Sequence, residues 1–203
     1  MAKARRPAPK DAALKQPALK EKAVRLDAAA WIAAAFDVLA DGGIDAVRVE
    51  PLAKALGITK GSFYWHFTDR RALLDAMLRT WMEGRIAAIR QHAADRGEPA
   101  AALRQLADLY TRHANVRGLA IELEIRAFAR IDDGAAAAVR GVDQARLQQV
   151  TGLFIGLGWA RPDAQARAVL FYSYLFGQSL LDAEVVTQAA RERAITALLA
   201  ASP

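Results

Sequence analysis

Apolar residues recur every three to four positions through most of the chain, which is the spacing of amphipathic α-helices. The first such segment ends at Gly42 and Gly43, and glycine readily takes the left-handed conformation found just past helix ends. Its apolar positions are Val24, Ala28, Trp31, Ile32, Ala35, Phe36 and Leu39. No sustained period-two alternation rich in Val, Ile and Thr indicates a strand. The sequence therefore predicts an all-α fold of about nine helices.

Breaks in the apolar pattern place the remaining helices. Short helices are expected near 49–56 and 60–66, followed by a long fourth helix from about Asp69 to Ala94 that Arg96, Gly97 and Pro99 stop. Later breaks are expected where glycine, proline and Asp or Asn cluster, at Asn115 to Gly118, Asp132 to Gly134 and Gly158 to Pro162. They divide the rest of the chain into five further helices, the last two near 163–182 and 184–200.

Charge and composition narrow the possible functions. The net charge is +6, and residues 1–27 hold 8 Lys and Arg against 3 Asp and Glu. Such a basic arm indicates attraction to a polyanion, with a solvated, disordered tail as the alternative. No uncharged apolar stretch reaches membrane-spanning length and no secretory signal pattern follows the first residues, so we expect a cytoplasmic protein. The absence of cysteine excludes disulfides, thiolate zinc sites and cysteine nucleophiles.

The stretch from Val49 to Phe67, VEPLAKALGITKGSFYWHF, is typical of two short helices packed steeply across a tight turn. Pro51 falls in the first turn of the leading helix, where its missing N–H is harmless. Gly57 is expected to take a positive φ in the turn, and Thr59 to cap the second helix with its hydroxyl. The predicted shared core consists of Leu52, Leu56, Ile58 and Phe63, and Ala53 is small where the two helix backbones come close.

The second helix of this pair offers a face that suits DNA. At 100° per residue, Phe63 and Phe67 lie on one side of it. Gly61, Ser62 and Trp65 lie roughly opposite, while Lys60, Tyr64 and His66 flank the core stripe within reach of phosphates. A helix with a small residue for close approach and several donors fits the major groove. The alternative is an ordinary helical hairpin, which leaves Tyr64, Trp65 and His66 unexplained.

Residues from about Val24 to Trp81 resemble the DNA-binding domain of TetR-family transcriptional regulators, most specifically in GITKGSFYWHFTDRRALLDAML. The likeness includes the first helix ending in Gly42-Gly43-Ile44, the turn Gly57-Ile58-Thr59, the run from Phe63 to Phe67, and the start of the fourth helix at Asp69 to Leu74. Arg48 departs from the Thr or Ser that often starts the second helix in relatives. It removes a cap and adds a candidate phosphate contact.

The resemblance implies a sequence-specific regulator, expected to be a ligand-responsive repressor that binds a palindromic operator as a homodimer. It implies that Lys60, Gly61, Ser62, Tyr64 and Trp65 approach base edges, and that Thr59, His66 and Arg70 hold phosphates. The chain then divides into a disordered basic tail (1–20), a helix-turn-helix domain (21–68) and a helical ligand-binding and dimerisation domain (69–203).

The last two helices are expected to pair with those of a second chain as a four-helix bundle. The reason is that residues 168–180 are apolar over too wide an arc for a single buried face, the alternative being a central helix of a monomer. The apolar positions are Ala168, Val169, Phe171, Tyr172, Tyr174, Leu175, Phe176 and Leu180.

A cavity for a small-molecule effector is expected among helices four to eight. Aromatic residues on helices are more often ordinary core packing, which is the alternative for each candidate wall residue. The candidates are Trp81, Tyr110, His113, Phe128, Phe154, Trp159 and Tyr172. Glu122 and Glu124 lie in an apolar segment, and we expect a local ion pair with Arg126 rather than a cationic ligand.

The sequence offers little support for an enzyme. The histidines His66, His92 and His113 are far apart, and GxSxG, phosphate-loop and HExxH motifs are absent. We therefore expect no catalytic site, no bound metal and no cofactor. A second hypothesis is a helical dimer that binds a small molecule or a partner protein and contacts DNA only nonspecifically.

Overall fold

The computed structural model describes residues 27–94, 97–111, 116–180 and 187–200. Within these residues the fold is all-α, as predicted, with one short 3-10 turn at Ile44–Ala46. The helices are α1 (Ala28–Gly42), α2 (Val49–Ala55), α3 (Lys60–Phe63), α4 (Arg70–Ala94), α5 (Pro99–Thr111), α6 (Val116–Phe128), α7 (Asp133–Gly156), α8 (Arg161–Leu180) and α9 (Gln188–Ala200). The basic tail and Val24 lie outside the described residues.

Local sequence signals explain where several helices begin and end. Asp27 caps α1 by accepting a hydrogen bond from the Ala30 N–H at 2.9 Å, and Asp132 caps α7 by accepting one from the Ala135 N–H at 2.8 Å. Gly43, at φ 72°, closes α1, which confirms the predicted stop. Pro99 is the first residue of α5, a position where a missing N–H costs nothing.

Three local expectations need correction. Thr59 stands at the N-cap position of α3, but its side chain makes no capping hydrogen bond, and its carbonyl accepts the Ser62 N–H instead. The second helix of the motif is shorter than the predicted 60–66, because α3 ends at Phe63 and residues 64–66 form a turn. Gly118 lies inside α6 rather than in a break, since helix packing overrides the low helix propensity of a single glycine.

Two hydrophobic cores hold the helices together, and α7 contributes to both. The first core contains residues of α1, α2, α3 and α4 and of parts of α6 and α7. Its central side chains include Trp31, Leu52, Phe63 and Leu73. The second joins α5, α7, α8 and α9 around Phe154 and Phe171. The first half of α4 therefore belongs to the core of the N-terminal helices, while α7 connects that core to the C-terminal one.

None of the helices in the described ranges is long and apolar enough to cross a lipid bilayer.

Candidate nucleic-acid interface

A small aromatic cluster fixes α3 against the N-terminal core. Phe63 is fully buried and packs edge-on against Trp31 of α1, with ring centroids 5.2 Å apart. Phe67 lies 5.4 Å from Phe63 and is also buried, as the helical spacing predicts. Burial of a Phe side chain stabilises a fold by about 1.5–3 kcal/mol. Although α3 has only four residues, its orientation is therefore set by the core.

The turn between α2 and α3 has the hydrogen bonds of a Schellman motif. Gly57 has φ 67°, and its N–H donates to the Lys54 carbonyl at 3.1 Å. The Ile58 N–H donates to the Ala53 carbonyl at 3.0 Å, which satisfies a second carbonyl at the end of α2. This geometry confirms the predicted positive φ at Gly57. It lets the chain reverse within a few residues and place α3 across α2.

The side of α3 and of the following turn, residues 64–66, that lies away from the core is exposed to solvent. Tyr64 is 62% exposed and Trp65 is 81% exposed, although both are large aromatic residues. Lys60, Gly61 and His66 are also exposed, and Ser62 is half-buried. The six residues predicted to face DNA or to lie beside that face are thus all exposed or half-buried. We call this surface, Lys60, Gly61, Ser62, Tyr64, Trp65 and His66, the recognition face.

Glu50 is a neighbour of the recognition face that the sequence reasoning missed. Its carboxylate accepts a hydrogen bond from the Lys60 Nζ at 2.7 Å, and both side chains are more than half exposed. This hydrogen bond lowers the pKa of Glu50 and raises the pKa of Lys60. Lys60 therefore has an anionic partner within the chain. Ten residues separate the pair in the sequence, and only the helix-turn-helix geometry brings them together.

Arg70 is predicted to contact a phosphate, and in the structure its guanidinium binds two backbone carbonyls. Its Nε donates to the Val47 carbonyl and its Nη2 donates to the Ile44 carbonyl, both at 2.6 Å. These bonds tie the start of α4 to the turn that precedes α2. By contrast, Arg48 is exposed at the N-cap position of α2, and Thr59 is exposed before α3. Arg48 makes no side-chain capping bond, so its side chain does not stabilise the start of α2 in that way.

The predicted wall residues of an effector cavity fall into both cores. Trp81 is buried in the N-terminal core, against which Phe128 packs. The second core contains Phe154 and Tyr172, with Tyr110 and Trp159 packed against it, while His113 lies outside the described residues. Tyr110 and Tyr172 do come together, with ring centroids 6.3 Å apart. The six predicted wall residues within the described part of the chain are therefore divided between two cores.

A buried ionic cluster lies beside Tyr110 and Tyr172. Glu122 of α6 is 1% exposed and accepts hydrogen bonds from Arg146 of α7 at 2.5 and 2.7 Å. Arg126 also pairs with Glu122, at 3.0 Å, which confirms the expected local ion pair for that glutamate. Burial raises the pKa of Glu122, but the hydrogen bonds and charge of Arg146, with Arg126 and Arg85, outweigh it and leave that pKa below its ordinary value.

Ion pairs also connect the N-terminal helices to α6 and α7. Arg117 of α6 donates to Asp41 at 2.5 Å and to Asp37 at 3.0 Å, both on α1. Arg71, in the first turn of α4, pairs with Asp132, the residue that caps α7. These ion pairs therefore couple the positions of α6 and α7 to α1 and to the start of α4.

Comparison with known proteins finds a family match in the N-terminal part of the chain. Residues 32–77 match the family described as bacterial regulatory proteins, tetR family. The tetracycline repressor protein class A from transposon 1721 of Escherichia coli is 46% identical over 46 residues, which is 23% of this chain and 21% of that protein. The class D repressor of Escherichia coli is 43% identical over 53 residues, 26% of this chain and 24% of that protein. The matched segment thus spans about a quarter or less of these repressors.

Solved structures share the fold over most of the chain. A transcriptional regulator from Rhodococcus sp. Rha1 superposes with a TM-score of 0.68 at 22% identity, covering 86% of this chain and 94% of that one. A regulatory protein TetR from Rhodobacter sphaeroides gives a TM-score of 0.65 at 21% identity, covering 84% of this chain and 95% of that one. At such identities the likeness concerns the fold, including the arrangement of the C-terminal helices.

Proposed function

We propose that this chain, whose residues 32–77 belong to the TetR family of bacterial regulatory proteins, is a DNA-binding transcriptional regulator of the repressor type. In this proposal a homodimer binds a palindromic operator, and a small molecule changes its affinity for that operator. The observation that supports it best is the recognition face, where Tyr64 and Trp65 remain 62% and 81% exposed beside a fully buried Phe63. Exposed aromatic side chains held on a rigid core are typical of a surface that meets a partner.

The proposed contacts follow from the geometry of α3. Gly61 lets the helix approach the base pairs closely, and Lys60 and Tyr64 supply donors for base edges or phosphates. Lys60 exchanges its hydrogen bond with Glu50 for one to DNA, so its contribution to affinity is reduced by the loss of that bond. Arg48, Thr59 and His66 remain proposed phosphate contacts. For Arg70 we propose a positioning role, because its Nε and Nη2 bind backbone carbonyls.

We propose the outer face of α7 and α8 as the dimer interface. A groove of about 670 Å³ runs between these helices, and its lining includes Gln144, Gln148, Gly152, Ile155 and Val169 together with the charged Arg140, Asp143 and Arg161. Ile155, Val169 and Leu170 are 37%, 51% and 57% exposed, which is high for aliphatic residues. Exposed aliphatic side chains grouped on one surface are typical of a face that meets a partner.

This interface differs in one helix from the sequence-based expectation, which paired the last two helices. The inner face of α8 is buried in the C-terminal core through Ala168, Phe171 and Leu175, and Ile195 of α9 is buried there as well. Since α9 packs mainly against α5, the neighbour of α8 at the surface is α7. The wide apolar arc noted in α8 is thus divided between the core and the proposed interface.

The dimer can be tested separately from DNA binding. We expect Leu170→Glu to place a charge in the interface and convert the dimer to a monomer in analytical ultracentrifugation. Leu109→Glu is the matched control, because Leu109 is a similarly exposed leucine, at 44%, on α5. A dimer that persists in Leu170→Glu would contradict the proposed interface.

The DNA-binding assignment is tested with Tyr64→Ala in a footprinting assay on the operator. We expect operator protection to be lost while the melting temperature and the dimer are retained, since Tyr64 is mostly exposed. Ile131→Ala removes a comparably exposed side chain from the turn between α6 and α7 and should leave protection unchanged. Protection that survives Tyr64→Ala would refute the proposed recognition face.

A further inference from the structure

Three guanidinium groups and two carboxylates converge where α4, α6 and α7 meet. We call this set, Arg85, Arg126, Arg146, Glu122 and Asp143, the arginine cluster. Glu122 accepts hydrogen bonds from both Arg146 and Arg126, and the Arg85 Nε lies 3.7 Å from it. Asp143 accepts from Arg126. With all groups ionised, the cluster holds one positive charge in excess.

Three aromatic rings line the cluster on the side of α5 and α8. Tyr172 and Phe176 are stacked at 25° with centroids 6.2 Å apart, and Tyr110 meets both of them edge-on. The guanidinium carbon of Arg126 lies 4.6 Å from the Phe176 centroid, and that of Arg146 lies 5.3 Å from it. Flat aromatic surface and planar cations are thus adjacent, an arrangement that suits a flat guest carrying an acidic group.

Stability alone gives little reason for such a cluster. Taking ions out of water costs several kcal/mol each, and well-packed apolar residues of similar size are often as stable or more stable. Buried ionisable groups whose pKa values are perturbed by burial and by neighbouring charges are concentrated at functional sites. The excess positive charge favours an anionic guest over a cationic one.

The two ion pairs of the cluster, Glu122 with Arg146 and Asp143 with Arg126, differ in their exposure to solvent. The side chains of Glu122 and Arg146 are only 2% and 3% exposed, so this pair is fixed in the interior. Arg126 and Asp143 are 26% and 36% exposed. Asp143 accepts two hydrogen bonds from Arg126, at 2.9 and 2.5 Å, in the forked geometry of an arginine with a carboxylate. Asp143 is the more exposed carboxylate of the cluster and also lines the groove between α7 and α8, so it is the one that another carboxylate can displace from Arg126.

We propose that the arginine cluster and the adjoining rings bind a small aromatic carboxylate, whose carboxylate replaces that of Asp143 on Arg126. The ring of the guest lies against the aromatic surface formed by Tyr110, Tyr172 and Phe176. Glu122 stays paired with Arg146 and holds Arg126 in place from the other side. This inference rests on the proposed function, for which it names the chemical class of the effector.

The position of the site connects it to the DNA-binding helices. Arg126 lies on α6, the helix whose Arg117 bridges Asp37 and Asp41 of α1. Arg85 of α4 also donates to the Gly118 carbonyl of α6 at 2.9 Å. A guest that replaces Asp143 removes one link between α6 and α7 and so changes how α6 is held against α1 and α4.

The test measures binding to the full-length dimer by isothermal titration calorimetry at fixed ionic strength, with benzoate, phenylacetate and cinnamate as probes. Benzamide and hexanoate are the comparison compounds, because they lack the charge and the ring respectively. We expect at least one aromatic acid to bind at least tenfold more tightly than both. Equal binding of the acid and its amide, or no binding of any aromatic acid, would overturn the inference.

Variants locate the site. We expect Arg126→Gln to weaken binding of the acid at least tenfold, and Asp143→Asn to tighten it because the internal competitor loses its charge. Arg104→Gln removes an exposed arginine of α5 and serves as the matched control. Asp143→Asn keeps the test decisive if Arg126→Gln fails to fold. An affinity that neither Arg126→Gln nor Asp143→Asn changes would place the guest elsewhere and refute the site.

A parallel mobility-shift assay with selected operator DNA separates this inference from the proposed function. If operator DNA binds and no aromatic acid does, the effector class is wrong and the regulator stands. If no duplex is bound specifically while an acid binds with the expected variant pattern, the site stands and the proposed DNA-binding function fails.

Discussion

The buried pair of Glu122 and Arg146 provides the sharpest test of how the C-terminal domain is held together. Glu122→Gln removes the charge that offsets Arg146, whose side chain is 3% exposed and receives no comparable compensation from water. Breaking one partner of a buried ion pair typically costs about 3–5 kcal/mol. In a chain of this size each kcal/mol lowers Tm by about 2–4 °C, so the expected decrease is roughly 6–20 °C.

The assay is thermal unfolding by calorimetry at one protein concentration, since dimerisation would couple to stability. Glu122→Leu combined with Arg146→Met removes both fully buried charges and should recover part of the loss, because the arginines that also lose Glu122, Arg85 and Arg126, are about a quarter exposed to water. Glu50→Gln, which breaks an exposed ion pair, should leave Tm nearly unchanged. A Glu122→Gln variant as stable as the wild type, or a double variant no better than the single one, would refute the reasoning.

The same pair predicts a pH dependence. Burial raises the pKa of Glu122, but the Arg146 hydrogen bonds and the neighbouring arginines more than compensate, so the pKa lies below the ordinary 4.5. A depressed folded-state pKa contributes stability above the unfolded value and loses it as the pH falls through the folded value. The free energy of unfolding of the wild type should therefore decrease below pH 4.5 more steeply than that of Glu122→Gln.

Three further predictions concern the N-terminal domain. Glu50→Gln weakens the hydrogen bond that holds Lys60, so nonspecific affinity for DNA at fixed salt should increase and should fall more steeply with salt concentration. An unchanged slope of affinity against salt would contradict an exchange of the Glu50 bond for one to DNA. In Gly57→Ala the added Cβ meets no neighbouring atom, but alanine is strained at φ 67°. The free energy of unfolding in urea should therefore decrease by about 1–2 kcal/mol, and an unchanged value would contradict a strained turn. Arg70→Ala removes two hydrogen bonds to carbonyls and should lower Tm as well as operator affinity, whereas a pure phosphate contact would lower affinity alone.

The helix-turn-helix could be predicted closely because its determinants are local. Gly57 and Pro51 act through their own backbone, and the burial of Phe63 and Phe67 follows from their spacing on one face. The role of Arg70 could not be predicted in this way. Its partners lie 23 and 26 residues earlier, in a 3-10 turn that the apolar pattern does not indicate. The Glu50 to Lys60 bond likewise depends on the angle between α2 and α3.

The C-terminal domain could be predicted as helices but not as a site. Its breaks at Asp132 and Pro99 are local capping signals, and both were placed correctly. The arginine cluster, by contrast, combines residues of α4, α6 and α7, and only Glu122 with Arg126 has the i, i+4 spacing that a sequence reveals. The aromatic residues predicted to line one cavity lie in two separate cores of the structure. Aromatic content indicates burial, and it does not tell a pocket from a packed interior.

The most direct test of the central claim is selection of bound duplexes from a random pool at about 0.15 M salt, where nonspecific DNA binding is weak. The account predicts enrichment of a single site with two-fold symmetry, whose half-sites lie about one helical turn, or a multiple of it, apart. It also predicts that Tyr64→Ala recovers no such site. A pool that shows no enrichment over random sequence, or an enriched site that Tyr64→Ala binds equally well, would contradict it.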